Sequence, residues 1–213
     1  MAGTACMPAQ AADEYPVKPV RMIVGYPPGG GTDIVGRMVA QKLSEAFGQT
    51  VVIDNRGGAA GSIGTELAAK SVPDGYTILM GNVAPNAINV SLFAKIPYDP
   101  VNDFEPVSLV ALTPNILLVH PALPVKTVKE FIAYGRTKEA KLNFASSGEG
   151  TISHLAGELY KMSTGVAMSH VPYKGGGQAI IDVIAGHVQV GFINILEASS
   201  QIKAERLRAL AVT

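Results

Sequence analysis

A run of small and polar residues at positions 26–33 is the stretch of this sequence most suited to binding chemistry. It follows an apolar run and precedes a segment with helical periodicity, so it predicts a strand–loop–helix junction. Successive glycines let the backbone approach a ligand closely, and the free N–H groups of a helix N-terminus attract an anion. The stretch indicates an anion-binding loop, although a glycine-rich turn without a ligand fits it equally well. The candidate residues are Tyr26, Pro28, Gly29, Gly30, Gly31, Thr32 and Asp33.

Two later loops have a similar chemical make-up. The first follows a predicted strand at 142–145 and precedes a helix with apolar residues at helical spacing. The second places a lysine before three glycines, where the lysine either clamps an anion or is a solvated turn residue. Tyr26 and Tyr173 are either walls of a ligand site or ordinary packing residues. The candidates from these loops are Ser146, Ser147, Gly148, Thr151, His154, Tyr173, Lys174 and Gly175.

Catalytic motifs are weak in this sequence. The P-loop and the Gly-x-Ser-x-Gly elbow are absent, and Ile34 stands where the dinucleotide fingerprint needs its third glycine. The four histidines have no metal-ligand spacing, so we predict no metal and no cofactor. One enzymatic alternative stays open, a hydrolase that uses Ser147 and His154 with Asp182 as the orienting carboxylate. Against it, a histidine in the place of His154 is more often a ligand donor or a half-exposed helix residue.

The composition narrows the class of protein. The chain has 213 residues, with 17 basic and 17 acidic side chains, and this balance argues against a nucleic-acid partner. No apolar run is long enough to cross a membrane. Cys6 is the only cysteine, which excludes an intramolecular disulfide. Residues 1–14 resemble the end of a secretory signal with a cleavage site at Ala9-Gln10-Ala11, so we expect export.

Strands and helices alternate along the chain, which predicts an α/β fold with a mostly parallel sheet. In such sheets ligands bind beyond the carboxyl ends of the strands. The loops that begin at Tyr26, Asp54 and Gly81 all follow strands, so we expect them to converge at one edge. The first helix is expected at 34–47, with Thr32 or Asp33 as its cap.

Further along, residues 104–119 predict two extended strands, the first of them crossing into a second domain. Thr127 and Glu130 form a capping box at the start of a helix. The helix after position 151 is expected to be amphipathic, with an apolar side that carries Ile152, Leu155, Ala156, Leu159 and Met162. The chain stops on an apolar strand and its first half is short of strands, so we expect C-terminal sequence to be missing.

Several motifs occur in the order found in one family of binding proteins. They include Pro28 to Asp33, Pro73-Asp74-Gly75-Tyr76-Thr77, Pro97-Tyr98-Asp99-Pro100, Val171-Pro172-Tyr173-Lys174-Gly175 and Leu207 to Thr213. The sequence resembles the Bug-type periplasmic solute-binding proteins of tripartite tricarboxylate transporters, from Tyr15 to Thr213.

The resemblance implies a type II-like periplasmic-binding-protein architecture of two α/β domains joined by crossing strands. We expect a signal remnant at 1–14, an incomplete first domain at 15–108, a second domain at 109–205 and a strand returning to the first domain at 206–213. The missing C-terminal part would complete the first domain. The resemblance also implies a monomeric, periplasmic, non-enzymatic protein that captures a small carboxylate for membrane permease subunits.

The resemblance assigns residues 28–33 to the carboxylate, and the loops at 146–151 and 173–175 with His154 to the opposite side of the ligand. This chain departs from the family pattern at two places near the ligand. After the third strand it has Asn82 and Ala84 within an unusual loop, and in a late strand it reads Phe-Ile-Asn, ending at Asn194, where relatives have Phe-Asp-Asn. Asn82, Ala84 and Asn194 complete the predicted ligand-binding set, and the lost carboxylate suggests a cleft more tolerant of anions.

Overall fold

A computed structural model of the chain describes residues 15–137 and 139–213. The strands are β1 (Val20–Val24), β2 (Val51–Asn55), β3 (Thr77–Met80), β4 (Asn115–Val119), β5 (Leu142–Ser146), β6 (Met168–Pro172), β7 (Val190–Asn194) and β8 (Arg208–Val212). The α-helices are α1 (Gly31–Phe47), α2 (Ser62–Ala69), α3 (Asn89–Leu92), α4 (Val128–Gly135), α5 (Ile152–Thr164), α6 (Gly176–Ile184) and α7 (Ile195–Lys203). The predicted signal remnant at 1–14 lies outside the described residues.

The strands form two separate sheets, which confirms the predicted α/β class. A parallel sheet has the order β2-β1-β3, and a mixed sheet has the order β6-β5-β7-β4-β8 with β4 antiparallel to both of its neighbours. We call the three-stranded sheet with α1 to α3 the first lobe, and the five-stranded sheet with α4 to α7 the second lobe. β8 is the edge strand next to β4.

In the first lobe, α1 packs on the parallel sheet and leaves its N-terminus at the carboxyl end of β1. Val20, Met22 and Val51 form the buried centre together with Ala40 of the helix. Gly36 faces the sheet, and a Cβ there would be in van der Waals contact with Val24 at 3.4 Å. This packing fixes where the first turn of α1 points.

The second lobe has apolar clusters on both faces of its sheet. Phe131, Phe144 and Phe192 fill one face, and Ala179, Ile180 and Val183 of α6 cover the other. Half of the predicted capping box of α4 is confirmed, since Thr127 Oγ1 accepts from the backbone N–H of Glu130 at 3.2 Å. The Glu130 carboxylate accepts from the N–H of Lys126 at 2.6 Å instead of from that of Thr127. Because β5 and β7 run parallel, the helices that follow them, α5 and α7, begin at the same edge.

Four local predictions were wrong. α1 begins at Gly31 rather than Ile34, and its N-cap is Gly30, not Thr32 or Asp33. Residues 104–114 contain no strand, and their apolar side chains are largely exposed rather than packed in a sheet. The stretch after Gly81 is a short loop followed by helical turns from Val83 onwards.

The fourth wrong prediction concerns α5, whose apolar stripe does not face the core. Leu159 and Met162 are 64% and 82% exposed. The buried side of the helix carries Ser153 and Gly157 instead. Gly157 lies against Phe144 so closely that a Cβ would come within 2.3 Å of the ring, so close helix–sheet contact decides the orientation.

Candidate ligand-binding cleft

A cavity of about 700 Å³ lies between the two lobes, and both lobes contribute to its walls. Half of the predicted ligand-binding set lines it: Tyr26, Gly30, Gly31, Thr32, Asn82, Ser147, Thr151, Gly175 and Asn194. The other half lies outside the cavity wall: Pro28, Gly29, Asp33, Ala84, Ser146, Gly148, His154, Tyr173 and Lys174. Residues from each of the predicted loops therefore line the cavity, and the fold decides which of them face it.

Four α-helices begin at the cavity. Gly31 opens α1, Thr151 caps α5, Gly175 and Gly176 open α6, and Asn194 caps α7. The first N–H groups of a helix lack intrahelical partners and carry the positive end of the helix dipole. Their convergence makes the cavity attractive to an anion, although no lysine, arginine or histidine of the described chain lines it.

The buried Asp33 side chain holds the loop at 26–33 in place through hydrogen bonds. The carboxylate is 2% exposed and accepts hydrogen bonds from Gly29 N–H at 2.9 Å, Arg37 Nε at 2.8 Å and Asn55 Nδ2 at 2.8 Å. Burial alone would raise the pKa of Asp33, but the bonds from Arg37, Gly29 and Asn55 outweigh it and lower the pKa. With its bonding capacity used in this way, Asp33 holds the loop against α1.

Asn82 links two other walls of the cavity. Its Nδ2 donates to Thr32 Oγ1 at 3.0 Å, and its Oδ1 accepts from Tyr26 Oη at 3.2 Å and from Ala84 N–H at 3.1 Å. Ala84 is itself fully buried, so it acts through this backbone bond. Asn82 therefore orients both the Thr32 hydroxyl and the Tyr26 ring at the mouth of the α1 N-terminus.

Hydroxyl groups of the second lobe form a small network at the start of α5. Ser153 Oγ accepts from Ser147 N–H at 2.9 Å and is 2.8 Å from Thr151 Oγ1, whose own hydroxyl also bonds to Gly148 O at 2.7 Å. Ser153 and Thr151 are buried, and Ser147 is half-buried at the cavity wall. These hydroxyls fix the loop at 146–151 in its shape.

The remaining candidates of the second lobe bond away from the cavity. Tyr173 donates to Asp182 Oδ2 at 2.6 Å, and Lys174 is exposed. The His154 ring stacks on His170 with centroids 3.9 Å apart. Desolvation and the neighbouring His154 lower the pKa of His170 to about 4, so the His170 ring is neutral at pH 7.

The Ser147/His154 hydrolase prediction is not supported. His154 Nδ1 accepts from Gly150 N–H at 3.2 Å, whereas the Ser147 hydroxyl accepts from Ser153 at 3.3 Å. Asp182 bonds to Tyr173 rather than to either histidine of the stacked pair. A serine does bond to a histidine, Ser146 Oγ to His170 Nε2 at 2.7 Å, but Ser146 is fully buried and away from the cavity. A buried serine cannot meet a substrate.

The sequence missed two parts of the cavity wall. Residues 108–113 line it without forming a strand, whereas their apolar composition predicts one. Glu197 lines it from the first turn of α7, and its Oε1 accepts from Gly31 N–H at 2.7 Å. Burial raises the pKa of Glu197 to about 7, while the Gly31 N–H partly counteracts this. The cleft thus holds a carboxyl group, contrary to the expectation drawn from the Phe-Ile-Asn strand.

Within 15–137 and 139–213, no cluster of three or more histidine, cysteine, aspartate or glutamate side chains is placed to hold a metal ion. No helix of this part has the length and apolar character needed to cross a bilayer.

The chain matches known proteins in both sequence and structure. Residues 35–213 match the model of the tripartite tricarboxylate transporter family receptor. The Bordetella pertussis protein BugT is 40% identical over 203 residues, a match that covers 95% of this chain and 62% of BugT. This chain therefore spans less than two thirds of the length of that relative.

Solved structures agree with the sequence match. An R. palustris protein solved with adipate superimposes with a TM-score of 0.91 at 38% identity, covering 94% of this chain and 67% of that one. The periplasmic binding protein BugD superimposes with a TM-score of 0.86 at 35% identity, covering 93% and 67%. The fold is accordingly that of the periplasmic binding proteins.

Proposed function

Because the chain belongs to the tripartite tricarboxylate transporter receptor family, we propose that it is an extracytoplasmic receptor that captures a small carboxylate in the cleft between its lobes. Its role is binding rather than catalysis. The captured ligand is passed to membrane permease subunits, and the receptor acts as a monomer in the periplasm.

One observation carries this proposal: the N-termini of α1, α5, α6 and α7 all open into one cavity, and no basic side chain of residues 15–137 and 139–213 lines it. Neutral donors and helix dipoles hold a carboxylate through several N–H and O–H bonds. They do so without a fixed salt bridge, which suits a receptor that must later release its ligand.

The size of the cavity narrows the ligand class. About 700 Å³ falls within the usual range for small-molecule sites, roughly 300–1,000 Å³. The apolar side chains of Leu79, Leu109 and Leu112 contribute to its wall beside the polar helix ends. A dicarboxylate with a short methylene chain matches both surfaces, and the adipate in the R. palustris relative belongs to that class.

Ligand capture proceeds by closure of the lobes. In this proposal the domains span 15–108 and 109–205, and residues 206–213, whose strand β8 pairs with β4 at the edge of the second-lobe sheet, lead back toward the first domain. The segment at 108–113 lies at the cavity between them, where a change in backbone angles moves one lobe relative to the other. A ligand that contacts both lobes stabilises the closed form by its differential affinity.

Titration calorimetry tests the proposal with succinate, glutarate, adipate, malate and citrate, and with adipamide and hexane-1,6-diol as controls of similar length that carry no carboxylate. We expect saturable binding of at least one dicarboxylate and none of the controls. Native mass spectrometry of the freshly purified protein adds a search for a co-purified acid. A folded protein that binds none of the carboxylates would overturn the proposal.

A further inference from the structure

The Glu197 side chain lies between the N-termini of two helices from opposite lobes. Its Oε1 accepts from the Gly31 N–H of α1 at 2.7 Å. Its Oε2 lies against the start of α6, where a Cβ on Gly176 would come within 1.7 Å of it. No alanine could replace Gly176 without displacing this carboxyl group.

The second oxygen of the carboxyl group has no partner. Glu197 Oε2 is buried and makes no hydrogen bond with the described residues. A buried polar atom without a partner costs free energy, so this arrangement is not optimised for stability. We interpret the Glu197 carboxyl group as filling the position that a ligand carboxylate would take.

This carboxyl group lies at the N-terminus of α1, where free N–H groups attract an anion. Gly31 lies within the predicted anion-binding loop at 26–33 and is the first residue of α1, and Gly176 lies in the first turn of the opposing helix. A ligand carboxylate that touched both lobes would need the same N–H group. Glu197 and the ligand therefore cannot both hold Gly31.

We propose that Glu197 is an internal competitor for the ligand carboxylate, which joins the two lobes through Gly31 until a ligand displaces it. This inference rests on the proposed function for the identity of the ligand, but the joining of the lobes by Glu197 does not. Molecules in which Glu197 holds Gly31 cannot bind the ligand there, so the apparent affinity for the ligand falls as the fraction of such molecules rises. Glu197 thereby sets which carboxylates bind, since only those with enough contacts elsewhere in the cleft replace it.

The competition between Glu197 and a ligand carboxylate depends on pH, because no nearby cation of the described residues keeps the Glu197 carboxyl group ionised. From α1 the charged groups are Asp33 and Arg37, which pair with each other at 2.8 Å, and α6 carries Asp182, which bonds to Tyr173. The Tyr26 phenol faces the cavity, and its pKa is raised by burial first and then by Tyr98 and Glu197. None of these groups supplies a positive partner for Glu197, so burial prevails.

The direction of the pH effect on the joining of the lobes follows from the raised pKa of Glu197. The pKa of Glu197 is about 7 when it lies between the lobes, against an ordinary value of 4.5. The group therefore binds its proton more tightly in the joined form. Joining of the lobes is strongest below about pH 4.5, weakens as the pH rises toward 7, and stays weak above that. Ligand affinity changes in the opposite direction.

Two substitutions of Glu197 distinguish the form in which the lobes are joined from the form in which they are not. Glu197→Gln keeps a neutral acceptor for Gly31 and mimics the protonated acid, whereas Glu197→Ala removes the side chain. Glu139→Ala, at an exposed glutamate, is the matched control. The Gly31 amide protection factor, measured by NMR hydrogen exchange without ligand, reports whether the lobes are joined.

We expect the protection factor of Gly31 to fall by about tenfold in Glu197→Ala at pH 6 and to stay unchanged in Glu197→Gln and Glu139→Ala. Between pH 5 and pH 8 the wild type should change from the value of the Gln variant toward that of the Ala variant. Adipate should bind Glu197→Ala about tenfold more tightly than the wild type at pH 6. Equal protection in Glu197→Ala, or weaker adipate binding, would overturn the inference. If no form binds any dicarboxylate, the proposed function fails, while the Gly31 protection still decides the role of Glu197.

Discussion

Gly31 and Asn194 meet across the cleft at the N-termini of α1 and α7. A Cβ on Gly31 would lie 2.9 Å from Asn194 Cγ and 3.1 Å from its Oδ1. Asn194 is itself held, because its Nδ2 donates to Thr113 Oγ1 at 2.7 Å and its Oδ1 accepts from Leu196 N–H at 3.0 Å. The glycine therefore lets the lobes approach each other.

The first prediction is that Gly31→Ala opens the ligand-free protein. The added methyl group displaces Asn194, while α1 tolerates alanine in its first turn, so the free energy of unfolding should change by less than about 1 kcal/mol. Small-angle scattering should give a larger radius of gyration. Gly177→Ala is the matched control, since a Cβ there meets nothing within 4 Å. Identical scattering from both variants would contradict this role for Gly31.

A second prediction concerns Asn82, which orients Thr32 and Tyr26. Asn82→Ala should weaken dicarboxylate binding by about tenfold, because two groups of the cleft lose their fixed positions. Tyr26→Phe removes only the phenol hydroxyl and should have the smaller effect. Calorimetry measures both, with circular dichroism to show that each variant is folded. Unchanged affinity in Asn82→Ala would exclude Asn82 from the site.

The third prediction concerns Asp33 and the decrease in the free energy of unfolding at acid pH. The pKa of Asp33 is lowered in the folded chain, so its contribution is present above about pH 4 and is lost as the pH falls through the folded value. Asp33→Asn should cost about 2 kcal/mol at pH 7 and should flatten the decline toward pH 3.

Urea unfolding at several pH values measures this decline. Glu45→Gln is the control, because Glu45 pairs with Lys42 in an exposed pair at 2.6 Å and should cost less than about 0.5 kcal/mol. An Asp33 variant as stable as this control at pH 7 would show that the three hydrogen bonds to Asp33 do not stabilise the loop.

The fourth prediction is that the chain does not react as a serine hydrolase. Ser146 is fully buried, and Ser147 bonds to Ser153 rather than to a histidine. A fluorophosphonate probe should leave the folded protein unlabelled, as judged by intact mass. Labelling at Ser146 or Ser147, lost in the corresponding alanine variant, would restore the hydrolase alternative.

The sequence predicts the loops of the cleft well, because glycine and serine clusters after strands have a direct structural meaning. The junction at 26–33 and the loop at 146–151 both lie at helix N-termini. It does not predict the role of Asp33, since the same residue type serves as a cap, a ligand contact or a buried support. Only the positions of Arg37 and Asn55 decide between these.

Two features depend on packing between distant parts of the chain and have no local signal. Glu197 looks like an ordinary acidic residue in the first turn of a helix, and it meets Gly31 only because the lobes face each other. The apolar residues of α5 have the spacing of a buried helix face and so predict burial, but most of them are exposed. There, the close approach of Gly157 to Phe144 outweighs the apolar pattern.

NMR titration of the ¹⁵N-labelled protein with adipate is the most direct test of the central claim, that a carboxylate is held between the N-termini of helices from both lobes. The amide signals of Gly30 and Gly31 in the first lobe, and of Gly175 and Gly176 in the second, should shift together and saturate at the same ligand concentration. Shifts confined to one lobe, or to residues outside the cavity, would contradict the account.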